Sequence, residues 1–112
     1  MTPDKLQSQL NLEIIQPHHS NESVATGYTS DLLSDVMANA VEGAVLITIQ
    51  SHANTVAVAS IAGIRAIIIC NSRPVAEDTI EAAAREKIAI YRSTENQFTV
   101  SYKAYKLLHT ES

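Results

Sequence analysis

Apolar residues change spacing several times along this chain, and each change marks an element. Leu32, Leu33, Val36, Met37 and Ala40 recur at helical spacing while Asp31, Ser34 and Asp35 fall on the other side, so an amphipathic helix is predicted from near Ser30. Gly43 ends the turn that follows, and Ala44 to Ile49 is apolar at nearly every position, the pattern of a strand covered on both faces. Asn54 to Gly63 is apolar and small-sided all round, which predicts a buried helix with Asn54 as cap and Gly63 as its left-handed terminator. A second buried strand follows in RAIIIC. VAEDTIEAAAREK then reads as a helix with Glu77 and Asp78 in its first turn and Arg85 and Lys87 in its last, in keeping with the macrodipole.

The ends of the chain continue the alternation. Thr2 followed by Pro3 predicts a capped helix through about Leu10, and Leu12 to Ile15 and Val24 to Tyr28 read as short strands around the polar loop QPHHSNES. IAIY is a further short strand. In TENQ, Thr94 and Gln97 have capping-box spacing ahead of a closing helix on which Phe98, Tyr102 and Tyr105 share one face, a stripe read as core, with a nucleobase shelf or a dimer surface as the alternatives. Strands separated by helices require crossover connections, which are right-handed, so the expected architecture is a three-layer α/β/α fold with a small, mostly parallel sheet. The first two strands are expected to pair antiparallel at one edge.

Composition narrows the class. At 112 residues the chain has the size of one domain, taken here as 1–112, and 46% apolar against 18% charged residues is a folding composition. A net charge of −4 with no basic run argues against nucleic acid as a partner. No window has the apolar length of a membrane span, and Met1 to Lys5 does not open a signal peptide. The one cysteine, Cys70, cannot form an internal disulfide, which suits a reducing compartment, and the reading is cytoplasmic.

The run from Ser30 to Ser93, and within it LLSDVMANA and ITIQSHANTVAVAS above all, resembles the DRTGG domain family, which is similar to the N-terminal domain of the HPr kinase/phosphorylase. Such domains occur alone or fused to CBS or catalytic domains. The resemblance implies an α/β sandwich that tends to self-associate, so a homodimer is expected. Where the family commonly carries a glycine pair after a long strand, this chain has Asn71-Ser72.

The residues present do not support phosphoryl transfer. A P-loop needs glycines to wrap the phosphates and a lysine to neutralise them, whereas Gly27, Gly43 and Gly63 stand in no such frame; the same three glycines fail the dinucleotide-binding spacing. No zinc-type spacing of Cys and His is present, His18-His19 in the polar loop being an isolated pair, and no cofactor is expected.

Candidate chemistry therefore gathers in the loops that follow the strands, where open α/β sheets seat their ligands. These loops contribute Ser30 and Asp31, His52, Asn54 and Thr55, and Asn71, Ser72 and Arg73, with Arg73 as the anion partner. The bland reading makes Ser30, Asn54 and Thr94 helix caps and Arg73 a solvated charge. His52 has three readings: a turn-forming side chain, a ligand contact or a catalytic base. Asp31 and Asp35 are spaced one helical turn apart, as a cation seat or a general base would be, or as solvated partners of the dipole. Cys70 is either a small buried hydrophobe or a reactive thiol. The function expected is a non-catalytic regulatory or interaction module that binds a partner protein or a small ligand. The alternative is a small anion or nucleotide sensor, or an enzyme, using His52, Arg73 and Asp31.

Overall fold

The computed structural model describes residues 1–19 and 21–109. Its chain order is α1 (Pro3–Leu10), β1 (Glu13–Gln16), β2 (Thr26–Thr29), α2 (Leu33–Asn39), β3 (Ala44–Thr48), α3 (Ala53–Ala62), β4 (Ala66–Ile69), α4 (Glu77–Glu86), β5 (Ala89–Arg92) and α5 (Gln97–His109). The five strands form one sheet in the order β1-β5-β4-β3-β2. All pairs from β2 to β5 are parallel, and β1 alone runs antiparallel, against β5.

The first two strands therefore lie at opposite edges of the sheet and do not pair with each other. The reason lies in the crossovers: α2 returns the chain from β2 to a parallel neighbour, β3, and each later strand is added beyond the last, so the edge left for β1 is the far side of β5. That seam is closed by Arg92, whose Nε and Nη2 donate to the two carboxylate oxygens of Glu13 at 2.9 and 3.0 Å.

Strict alternation along the central strands sorts the core into two layers. Val45, Ile47, Ile68, Ala89 and Tyr91 face Leu6 of α1 and Val100 and Ala104 of α5. Leu46, Ile67, Ile69 and Ile90 face Val36 of α2, Val56 and Ala59 of α3, and Ala82 and Ala83 of α4. A strand covered on both sides must be apolar throughout, which is why β3 and β4 are buried at every residue. The result is the expected three-layer α/β/α fold.

Two helix ends are set by local sequence as anticipated. The Thr2 hydroxyl accepts the Lys5 N–H at 3.3 Å with Pro3 as the first helical residue. Gly63 terminates α3 at φ 78°, where its N–H reaches the carbonyls of Ala59 and Ser60. A Cβ at Gly63 would stand 2.7 Å from Glu42 Cγ and 3.3 Å from Glu42 Cα. Gly63→Ala is therefore expected to cost about 2 kcal/mol, from the left-handed backbone and the clash with Glu42 together, read as a lowered midpoint in urea unfolding at an unchanged slope.

Candidate functional site

Because β2 to β5 are parallel, the loops after them open at one end of the sheet, and the structure brings the predicted residues there into two separate groups. The first is organised by Asp31. Its Oδ1 accepts the Thr48 hydroxyl, the Ile49 N–H and the Gln97 side-chain amide, each at 2.9 Å. Its backbone carbonyl accepts the Gln50 amide at 3.0 Å. Asp31 thus ties the β2–α2 loop to the end of β3 and the start of α5. Ser30 beside it accepts the Leu32 N–H at 3.2 Å, a local turn that ends before the helix. Asp35 turns away to Tyr28 and Asn39, whose amide, with the Tyr28 hydroxyl, holds the Asp35 carboxyl below the ordinary carboxylate range. Asp31 precedes α2 instead of lying on it, so the two carboxylates do not converge as a cation seat or a general-base pair.

The second group is a cavity of about 440 Å³ between the start of α3 and the segment leading into α4, lined by Ser51, His52, Arg73, Pro74, Val75 and Ala76. His52 is the N-cap of α3 and Ala76 the N-cap of α4, and neither side chain caps its helix. The first-turn N–H groups of two ten-residue helices therefore approach one cavity without a side-chain acceptor of their own at the cap. Glu77 and Asp78 stand in the first turn of α4 and place negative charge beside it. The loop is braced from behind: Arg92 Nη1 donates to the Arg73 carbonyl at 3.2 Å, and Thr79 Oγ1 donates to the Ser51 carbonyl at 3.3 Å.

Between β2 and β5 the strand order rises one step at a time with α2, α3 and α4 on a single face, so this stretch has no point where successive helices part to opposite faces. The cavity forms instead between neighbouring helix N-termini. His52 and Arg73 meet in it; Asp31 does not line it.

The remaining candidates are placed as follows. Asn54 is the second residue of α3 and exposed, so it is not the cap. Thr55 is buried at 1% exposure with no hydrogen bond to its hydroxyl. Thr94 does not cap α5 either: Asn96 Oδ1 accepts the Thr99 N–H at 3.0 Å, and Gln97 spends its amide on Asp31 instead of reaching back. Burial pushes the Cys70 thiol up to about 11, helped by the carboxylates of Asp31 and Glu95, so it stays protonated at neutral pH and is no nucleophile. His19 in the polar loop pairs with Asp4 at 2.8 Å.

Asn71 and Ser72 both adopt left-handed backbone, at φ 60° and 52°. This is the conformation glycine takes without cost, and it directs the Asn71 N–H to the Glu95 carbonyl at 2.9 Å and the Ser72 N–H to the Ser93 carbonyl at 2.8 Å. The turn leads from β4 toward α4, and both its N–H groups are committed to the segment between β5 and α5.

A larger cavity, of about 560 Å³, lies between α1 and α5 and is lined by Gln9, Leu10, Asn11, Tyr102, Lys103, Lys106 and Leu107. Of these residues Tyr102 belongs to the aromatic stripe for which a nucleobase shelf is one reading, and it stands at this cavity while the stripe is exposed and not core. Lys103 and Lys106 add positive charge at a three-residue interval on α5, and Lys103 is held by Glu95 at 2.9 Å.

No family model and no curated protein matches the sequence. Among solved structures, the chain is similar to the CBS and DRTGG domains of the regulatory region of Clostridium perfringens pyrophosphatase, crystallised in complex with activator, diadenosine tetraphosphate. The TM-score is 0.68 at 13% identity, covering 99% of this chain and 50% of that one. This chain thus spans half the length of the structure it matches, and the likeness supports a DRTGG-like fold.

Two substitutions separate the roles of these residues. Ser72→Gly is expected to raise stability by about 1 kcal/mol, and Asn71→Gly by less because asparagine tolerates the left-handed region, both measured by urea unfolding. Asp31→Ala is expected to cost about 3 kcal/mol by leaving three donors unpaired, with Asp31→Asn losing about half as much because one acceptor oxygen remains. A loss below 1 kcal/mol for Asp31→Ala would remove it as the organiser of this end.

Proposed function

We propose that this chain is a non-catalytic regulatory module, working in the cytoplasm, that self-associates and takes a small anionic ligand in the cavity shared by His52 and Arg73. The observation that carries this reading is the convergence, on one cavity of about 440 Å³, of a guanidinium, an imidazole and two helix N-termini without side-chain caps. Helix N-termini favour anions through their free N–H groups and the positive end of the dipole, and Arg73 adds a fixed charge. Glu77 and Asp78 oppose a bare anion, so affinity has to come from a second contact. Pro74, Val75 and Ala76 supply an apolar wall for it, which favours an organic phosphate such as a nucleotide over phosphate alone.

The regulatory half of the reading draws support from a fold shared with the regulatory region of a pyrophosphatase that was crystallised with a nucleotide activator. Its non-catalytic half rests on the residues. His52 shares its cavity with Arg73 and, among the described residues, is hydrogen-bonded to no nucleophile, Asp31 is occupied by three donors, and Cys70 is held as a thiol. The enzyme alternative required His52, Arg73 and Asp31 in one place.

A thermal-shift panel of adenine and guanine nucleotides, sugar phosphates and inorganic phosphate, with and without magnesium, tests the proposal. A ligand at a hundredfold over its dissociation constant adds about 2.7 kcal/mol, seen as a rise of several degrees in a domain of this size. The expected result is a rise for a nucleotide that exceeds the rise for phosphate and is lost in His52→Ala and in Arg73→Ala. A flat panel, or a rise that both variants keep, overturns it.

A further inference from the structure

The cavity of about 560 Å³ between α1 and α5 takes no part in the reading above. Its volume falls within the roughly 300–1,000 Å³ of small-molecule sites. It belongs to the layer opposite α3 and α4, so the sheet stands between it and the cavity of His52 and Arg73. Leu10 and Leu107, half-buried against the α1–α5 core, give it an apolar base, and Tyr102, 61% exposed, gives it a ring. Of the exposed aromatics on α5 it is Tyr102 that lines this cavity. Tyr105 stacks on His109 at 4.5 Å between centroids and lines a recess beside Gly27 and Thr29 of β2.

The charges at this cavity have one sign. Two of the chain's eight Lys and Arg, Lys103 and Lys106, line it, and among the described residues that do so there is no carboxylate. This runs against the net charge of −4 and contrasts with the His52 cavity, where Glu77 and Asp78 oppose an anion. Glu95 takes two of the three donors of the Lys103 ammonium, both at 2.9 Å, and leaves the third. Lys106 follows Tyr102 by four residues, so a ring and an ammonium are neighbours on one helix face. Gln9 and Asn11, both exposed, add side-chain amides, each with a donor and an acceptor side by side.

We propose that this cavity binds a mononucleotide, its base stacked on Tyr102 with an edge toward the amides of Gln9 and Asn11, and its phosphate held by Lys106 and the remaining donor of Lys103. A neutral ring makes no use of the two ammoniums, and inorganic phosphate makes none of the ring and the leucines. A nucleic-acid strand needs successive aromatics along a basic track, whereas one ring and two lysines serve a single nucleotide. The proposal does not rest on the site at His52 and Arg73.

An amide-resolved NMR titration of the 112-residue chain with AMP and with GMP, and separately with adenosine and with ribose 5-phosphate, tests it. Saturable shifts at the amides of residues 9–11 and 102–107 are expected for at least one of the two nucleotides. Adenosine and ribose 5-phosphate, each lacking half of the ligand, are expected to bind at least about tenfold more weakly. Tyr102→Ala and Lys106→Gln, exposed changes whose folding the same spectra report, are each expected to weaken the nucleotide by at least about tenfold, while Tyr102→Phe keeps the ring and the binding. His52→Ala is expected to leave these shifts as they are. The absence of saturable shifts at these amides, or binding that Tyr102→Ala leaves intact, overturns the proposal. Shifts confined to residues 51–52 and 73–76 overturn it too, and leave the reading at His52 and Arg73 standing.

Discussion

One carboxylate oxygen carries much of the order at the strand ends. Asp31 Oδ1 is the common acceptor for a hydroxyl on β3, a backbone N–H just past it and an amide on the first residue of α5, and so ties three parts of the chain at one atom. A hydrogen bond to a charged acceptor is stronger than a neutral one, and three on one oxygen fix direction as well as distance. With Gln50 held by the carbonyl of the same residue, the chain leaves β3 along a set path, and the start of α3 is placed by it. The position of His52, and so of the cavity, follows from this arrangement.

How far the sequence reached depended on whether the deciding interaction was local. Helix periods, the Thr2 cap, the Gly63 terminator and the continuous apolar strands are local, and all were legible to within a few residues. The caps of α3 and α5 were not. Asn54 and Thr94 have the right chemistry, yet His52 and Asn96 occupy the positions, because the strand exits decide where the first helical turn begins. Gln97 has capping-box spacing, but its partner is 66 residues away, beyond any local pattern. The aromatic stripe on α5 shows a second limit: spacing defines a face without telling inside from outside. The competing stripe was present in Val100, Ala104 and Leu107, smaller aliphatic residues at the same helical spacing, and it is this one that packs on the sheet.

The loop residues divide between those committed to the fold and those left facing solvent. Asn71 and Ser72 hold a glycine-like turn with side chains that pay for it in backbone strain, and their N–H groups are consumed by the β5–α5 segment. Asp31 is likewise consumed. His52 and Arg73 are held by their backbones, through the start of α3 and through Arg92, while their side chains remain at the cavity. The fold fixes the main chain and leaves an imidazole and a guanidinium lining one cavity, the arrangement on which the proposed anion binding rests.

The antiparallel seam between β1 and β5 has a consequence for the order in which the molecule assembles. Each parallel pair joins residues roughly twenty positions apart, whereas Glu13 and Arg92 are separated by 79, and the chain entropy lost on closing a loop grows with the logarithm of its length. Two doublings of loop length add about 1.2 kcal/mol to the closure of that seam. β1 also has one neighbour instead of two, and its register slips between Ile14 and Gln16. The amino-terminal segment is thus the last to settle in folding and the first to lift away, and amide exchange would run fastest there while β3 and β4, paired on both sides, set the slowest rates.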